Sequence, residues 1–191
     1  MKVLFLDHDG VVCLSNNWGG RRKKWAKYRS ANPNSSEYLN ESPVEVRFDD
    51  FDKKAVKVLN EILDKTGAEI VVSSDWRFHA TLEELGEYYT LQGVNKKPFA
   101  FTDNKLPQGL KYFHRNSELE ETRSYEILYW LKEHPEVTHW VAVDDLDMSE
   151  NFSYLSGDYE WGLKNFVWTP KQNEGLKQSG VKEKVVKFLS N

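Results

Sequence analysis

The chain has 191 residues, 39% hydrophobic and 29% charged, with 7 Trp, 9 Tyr and 10 Phe, a composition that suits one folded domain and argues against a disordered chain. Its one cysteine, Cys13, excludes an internal disulfide and a cysteine-rich zinc site. Net charge is −4, yet residues 21–29 (Arg-Arg-Lys-Lys-Trp-Ala-Lys-Tyr-Arg) carry six cations and no acid, so an acidic body bears one basic segment suited to a local anion contact.

In chain order, Val3-Leu4-Phe5-Leu6 is a continuous apolar run that stops at Asp7-His8-Asp9-Gly10. Such runs read as strands buried on both faces of a parallel sheet. Residues 13–48 hold the basic segment and then Asn32-Pro33-Asn34-Ser35-Ser36, with no clear period. Loops of this length are uncommon and often functional. Phe51 to Lys65 sets Phe51, Ala55, Val58, Leu59, Ile62 and Leu63 on one stripe before Thr66-Gly67, which predicts a helix. Glu69-Ile70-Val71-Val72 is a second strand, ending in Ser73-Ser74-Asp75. Thr81 to Leu91 opens on Thr-Leu-Glu-Glu, a capping box. Residues 103–121 are polar and broken by Pro107 and Gly109. Ser124 to Lys132 predicts a helix. Trp140-Val141-Ala142-Val143 predicts a strand that ends in Asp144-Asp145, and Asn165-Phe166-Val167-Trp168 another that ends in Thr169-Pro170. Val181 to Leu189 predicts a last helix. Strands alternating with helices predict an α/β fold with a central parallel sheet. No apolar run approaches the ~18 residues of a membrane span, and Asp7 arrives too early for a secretory signal. The expected setting is cytoplasmic.

Chemistry gathers at the strand ends. Carboxylates at the carboxyl end of a parallel strand face the crevice where α/β sheets bind ligands. Asp7 and Asp9 flank one residue at a turn opened by Gly10, and two such acids repel unless a cation holds them. All-oxygen ligation suits Mg²⁺, with substrate phosphate completing its shell. Ser73 offers a hydroxyl to a phosphate oxygen, with Ser74 as the alternative. Asp144 and Asp145 offer further carboxylates, and which of them binds metal stays open.

Phe5-Leu6-Asp7-His8-Asp9-Gly10-Val11-Val12, Val71-Val72-Ser73-Ser74-Asp75-Trp76-Arg77 and Val141-Ala142-Val143-Asp144-Asp145 resemble motifs I, II and IV of the haloacid dehalogenase (HAD) superfamily of phosphohydrolases. The set is closer still to the HAD domain associated with Swiss-Army-knife RNA repair proteins. That branch has a Ser-Ser-x-Trp-Arg segment and an Arg opening the helix before the last acidic strand, as Arg123 does here.

The resemblance implies a Rossmann-like HAD domain over residues 1–191, with residues 13–48 as a small cap or lid inserted between motifs I and II. It implies a Mg²⁺-dependent phosphomonoesterase. Asp7 would be the nucleophile, forming an aspartyl-phosphate, and Asp9 the general acid and then base. Mg²⁺ would be held by the Asp7 carboxylate, the Asp9 carbonyl, and Asp144 or Asp145. Ser73, Gly10 and a cation would contact the phosphate. Many members have Lys as that cation. Arg123 takes the role here, with Lys111 and Arg115 as alternatives.

Arg77 either stacks on Trp76 or reaches substrate together with it. Arg21, Arg22, Lys24 and Trp25 interleave cations with an aromatic ring, a pattern that suits stacked bases and phosphates. The expected substrate is a nucleotide or a nucleic-acid terminal phosphate, with no membrane and no obligate protein partner. A rival expectation is a non-catalytic nucleic-acid-binding module on the same fold, which predicts salt-sensitive binding without phosphate release.

Overall fold

The computed structural model describes residues 1–36, 38–102, 119–149 and 162–190. Five strands form one parallel sheet: β1 (Lys2–Leu6), β2 (Glu69–Val72), β3 (Ala100–Phe101), β4 (His139–Asp144) and β5 (Phe166–Trp168). Their spatial order is β3-β2-β1-β4-β5, so β1 is central. Together with the helices, this is the α/β Rossmann-like fold that the sequence predicts.

The four strands expected from apolar runs are all present. The two-residue β3 is not among them, since Ala100–Phe101 is too short to make a run. Strand alternation splits the core. Leu4, Leu6, Ile70, Val72, Val141 and Val143 pack on one face with the helices α3 (Lys53–Thr66), α4 (Leu82–Leu91) and α6 (Val181–Ser190). Val3, Phe5, Val71 and Ala142 pack on the other with Ile127 and Trp130 of α5 (Leu119–Glu133).

Helix ends follow their capping chemistry. α3 starts at Lys53 rather than Phe51, because the Asp52 side chain accepts from the Lys54 and Ala55 amides and stops the helix there. α4 has the expected capping box between Thr81 and Glu84. α5 begins five residues before Ser124.

The stretch 13–48 contains two helices, α1 (Gly20–Ala31) and α2 (Val44–Arg47). α1 carries the basic segment, buries no residue and so leaves no apolar stripe to read. It is tethered at its start instead. The Asp49 carboxylate accepts from the amides of Gly19 (3.0 Å) and Arg21 (2.6 Å). No helix among the described residues is long and apolar enough to cross a membrane.

Candidate active site

Strand register sets the site. Leu6 of β1 is level with Val72 of β2 and Val143 of β4. The next residue on each strand is therefore level too, and these are Asp7, Ser73 and Asp144. Backbone bonds extend the alignment past the strand ends: Asp7 N to Val143 O at 3.1 Å and Ser73 N to Leu6 O at 3.0 Å. Three distant motifs meet at the carboxyl edge of the central strands, where open α/β sheets form their crevice.

Carboxylate oxygens of Asp7, Asp144 and Asp145 lie within 4.8 Å of one another. Asp7 and Asp144 are buried and Asp145 is half-buried. Gly10 adjoins them with φ +71°, and a Cβ there would stand 2.5 Å from Asp145 Oδ2. Only glycine suits both that backbone and that approach.

Arg123, on α5, enters the cluster. Its Nη1 donates to Asp7 Oδ1 (2.8 Å), to the Ser73 carbonyl (2.7 Å) and to Asp144 Oδ2 (3.2 Å). Its Nη2 donates to Asp75 Oδ1 (3.1 Å). One buried guanidinium thus ties the ends of β1, β2 and β4. The alternative cations Lys111 and Arg115 lie outside the described residues.

The electrostatics follow. Burial pushes Asp7 up to about 7; Arg123 opposes that rise, while Asp145 and Asp9 add to it. Asp144 is held well above the carboxylate range by burial first and Asp7 second, with Arg123 again opposing. A single guanidinium does not neutralise three clustered acids. An all-oxygen set of this kind fits a hard divalent cation such as Mg²⁺. Ser73 Oγ is buried with no hydrogen-bond partner among the described residues. A buried orphan hydroxyl calls for a partner, and a phosphate oxygen would supply one.

The Asp9 carboxylate is not part of the three-acid group. It accepts from the Trp76 indole, Nε1 to Oδ2 at 2.9 Å, and lines a pocket with Trp18, Arg21, Arg22 and Asp49. Its carboxyl is also raised, by desolvation first, with Trp76 opposing. Trp76 itself is buried and stacked on Phe48, ring centroids 4.3 Å apart. This link between Trp76 and Asp9 escaped the sequence reading, because nothing local marks a pair 67 positions apart.

Arg77 corrects an expectation. Its guanidinium lies over the Phe78 ring at 4.7 Å rather than over Trp76. Nη2 donates to both Glu126 oxygens (2.8 and 2.7 Å) and Nη1 to Thr102 Oγ1 (3.0 Å), so these donors are occupied inside the protein.

The basic segment divides. Arg21, Arg22 and Trp25 line pockets that lead away from Asp9. Lys24 turns elsewhere, to Asp50 at 2.8 Å. His8 points into the core, with Nε2 2.6 Å from the Tyr89 hydroxyl.

Residues 3–180 match the family model described as the HAD domain in Swiss Army Knife RNA repair proteins. No curated protein and no solved structure gave a match to the chain.

Proposed function

The chain belongs to the family of HAD domains found in Swiss Army Knife RNA repair proteins, and from that premise we propose that it is a Mg²⁺-dependent phosphomonoesterase working through an aspartyl-phosphate. The observation that carries this reading is the level convergence of Asp7, Ser73 and Asp144 with Arg123 among them. The proposed substrate is a nucleotide or a nucleic-acid terminal phosphate. The same proposal takes residues 13–48 as a cap over the site and the setting as cytoplasmic.

The residues divide the work. Asp7 attacks phosphorus and forms the covalent phosphoryl-aspartate, while the leaving alcohol takes a proton from Asp9. Asp9 then takes a proton from the water that cleaves the phosphoryl-aspartate. Arg123 orients Asp7 through their 2.8 Å bond and shares the charge of the phosphoryl oxygens with the Ser73 hydroxyl. Asp7, Asp144 and Asp145, with the Asp9 carbonyl, would hold Mg²⁺. When bound, the ion neutralises the charged carboxylates and the transferring phosphoryl group.

Phosphate release from an aryl phosphate, several nucleotides and a 3′-phosphorylated oligonucleotide tests the proposal, with Mg²⁺ and with EDTA. Release is expected with Mg²⁺ only, and Asp7→Asn loses it by about three orders of magnitude or more. Undiminished release by a folded Asp7→Asn protein overturns the mechanism. Oligonucleotide binding with no release from any substrate favours the non-catalytic module.

A further inference from the structure

Two pockets that share Arg21 and Arg22 adjoin on the Asp9 side of the crevice, the two sections of a candidate groove. Its first section, about 360 Å³, is lined by Asp9, Trp18, Arg21, Arg22, Asp49 and Trp76. Its second, about 370 Å³, is lined by Arg21, Arg22, Trp25, Leu39, Asn40 and His79, among others. Each has the volume of a small-ligand site, and the two arginines belong to both.

In the proposed chemistry Asp9 protonates the leaving oxygen, so this side takes the leaving group. A single nucleoside placed beside Asp9 would leave the second section empty. The shared wall is cationic and open. Arg21 and Arg22 are exposed, and neither has an ion-pair partner among the described residues, whereas Lys24, Arg47, Arg77 and Arg123 are each paired to an acid.

An aromatic platform stands beside Asp9. Trp18 is 43% exposed, yet its indole is fixed by a 3.1 Å bond from Nε1 to the Cys13 carbonyl. A held, exposed indole stacks a base with little loss of side-chain entropy. The bonds from the Gly19 and Arg21 amides to Asp49 fix the backbone between Trp18 and the arginines.

We propose that this groove is a two-nucleotide subsite. The terminal nucleoside stacks at Trp18, the adjoining internucleotide phosphate lies against Arg21 and Arg22, and the next nucleoside occupies the section lined by Trp25 and His79. The substrate is then the phosphorylated end of a single-stranded nucleic acid, not a free nucleotide. The inference rests on the phosphatase reading for which side takes the leaving group.

Equilibrium binding tests it without catalysis. Oligonucleotides ending in a 3′-hydroxyl, from the mononucleotide to a pentamer in ribo and deoxy series, compete with a fluorescent pentamer for the full chain. Affinity is expected to rise at least about tenfold from mononucleotide to dinucleotide and little beyond. Arg22→Ala and Trp25→Ala each lose about fivefold or more on the dinucleotide, and Arg22→Ala shows a shallower salt dependence. Equal affinity for mononucleotide and dinucleotide overturns the subsite, as does wild-type affinity in both variants or no binding at all. The two sugar series separate RNA from DNA. Aryl phosphate hydrolysis by the same preparations reports on the chemistry separately. Length-dependent binding without hydrolysis removes the phosphatase reading and keeps the subsite, and hydrolysis with length-independent binding does the reverse.

Discussion

The Trp76 indole donates a 2.9 Å hydrogen bond to the Asp9 carboxylate, and the same ring is stacked against Phe48 and Phe51. A core aromatic stack thereby restrains the side chain proposed to handle the leaving-group proton. One Asp9 oxygen is committed to the indole, which limits rotation of the carboxyl group within the crevice. Sidedness is the consequence: the Asp7, Asp144 and Asp145 cluster lies on one flank, and Asp9 with the pocket it lines on the other.

Trp76→Phe keeps an aromatic ring in the stack and removes the donor. Losing one hydrogen bond to a carboxylate lowers kcat by about tenfold on alkyl phosphates. The loss is smaller on an aryl phosphate, whose leaving group needs less protonation. A plot of rate against leaving-group pKa for both proteins checks this. An equal loss across the series contradicts an acid-positioning role.

Mg²⁺ binding should depend on pH. Burial pushes Asp7 up to about 7, so in the metal-free protein it is largely protonated below that pH and ionised above it. A carboxylic acid must give up its proton to ligate a cation. Asp144, also held well above the carboxylate range, must ionise with Asp7, so apparent Mg²⁺ affinity is lost as pH falls through about 7, and binding there releases at least one proton. Arg123 favours the ionised form, so Arg123→Met moves the midpoint upward. Calorimetry in buffers of different ionisation enthalpy measures both quantities. Affinity that stays constant through this range contradicts a ligand role for Asp7.

The Arg77–Glu126 pair joins the loop after β2 to α5, one turn from Arg123. Both side chains are about 5% exposed or less, so removing one partner strands a buried charge. Glu126→Ala is expected to cost about 3–5 kcal/mol and to lower Tm by on the order of 10 °C. Arg77→Met combined with Glu126→Leu leaves no unpaired charge and recovers most of the loss. Thermal denaturation of the single and double variants decides; an unchanged Tm in Glu126→Ala contradicts the burial argument.

Motif strands were legible because their signal is local. Val3 to Leu6, Ile70 to Val72 and Val141 to Val143 are unbroken apolar runs that end in acid or hydroxyl, and parallel register alone then brings those ends level. α1 gave no such signal, because it buries nothing and is anchored by Asp49, 28 residues beyond Arg21. Partners of the site residues were equally hidden. Trp76 meets Asp9 across 67 positions and Arg77 meets Glu126 across 49, distances at which residue spacing carries no contact information. The resemblance to the family supplied Arg123 as the candidate cation; its three bonds to the ends of β1, β2 and β4 come only from the fold.

Covalent catalysis by Asp7 passes through an acyl phosphate that a chemical trap can capture. Wild-type protein turning over an aryl phosphate with Mg²⁺ is quenched in acid during the first turnovers and reduced with borohydride. Peptide mass spectrometry then reads position 7. Homoserine is expected there, formed from the aspartyl-phosphate, only when substrate and Mg²⁺ were both present. Phosphate release with Asp7 unmodified, or the reduced residue at any other position, would contradict covalent catalysis by Asp7.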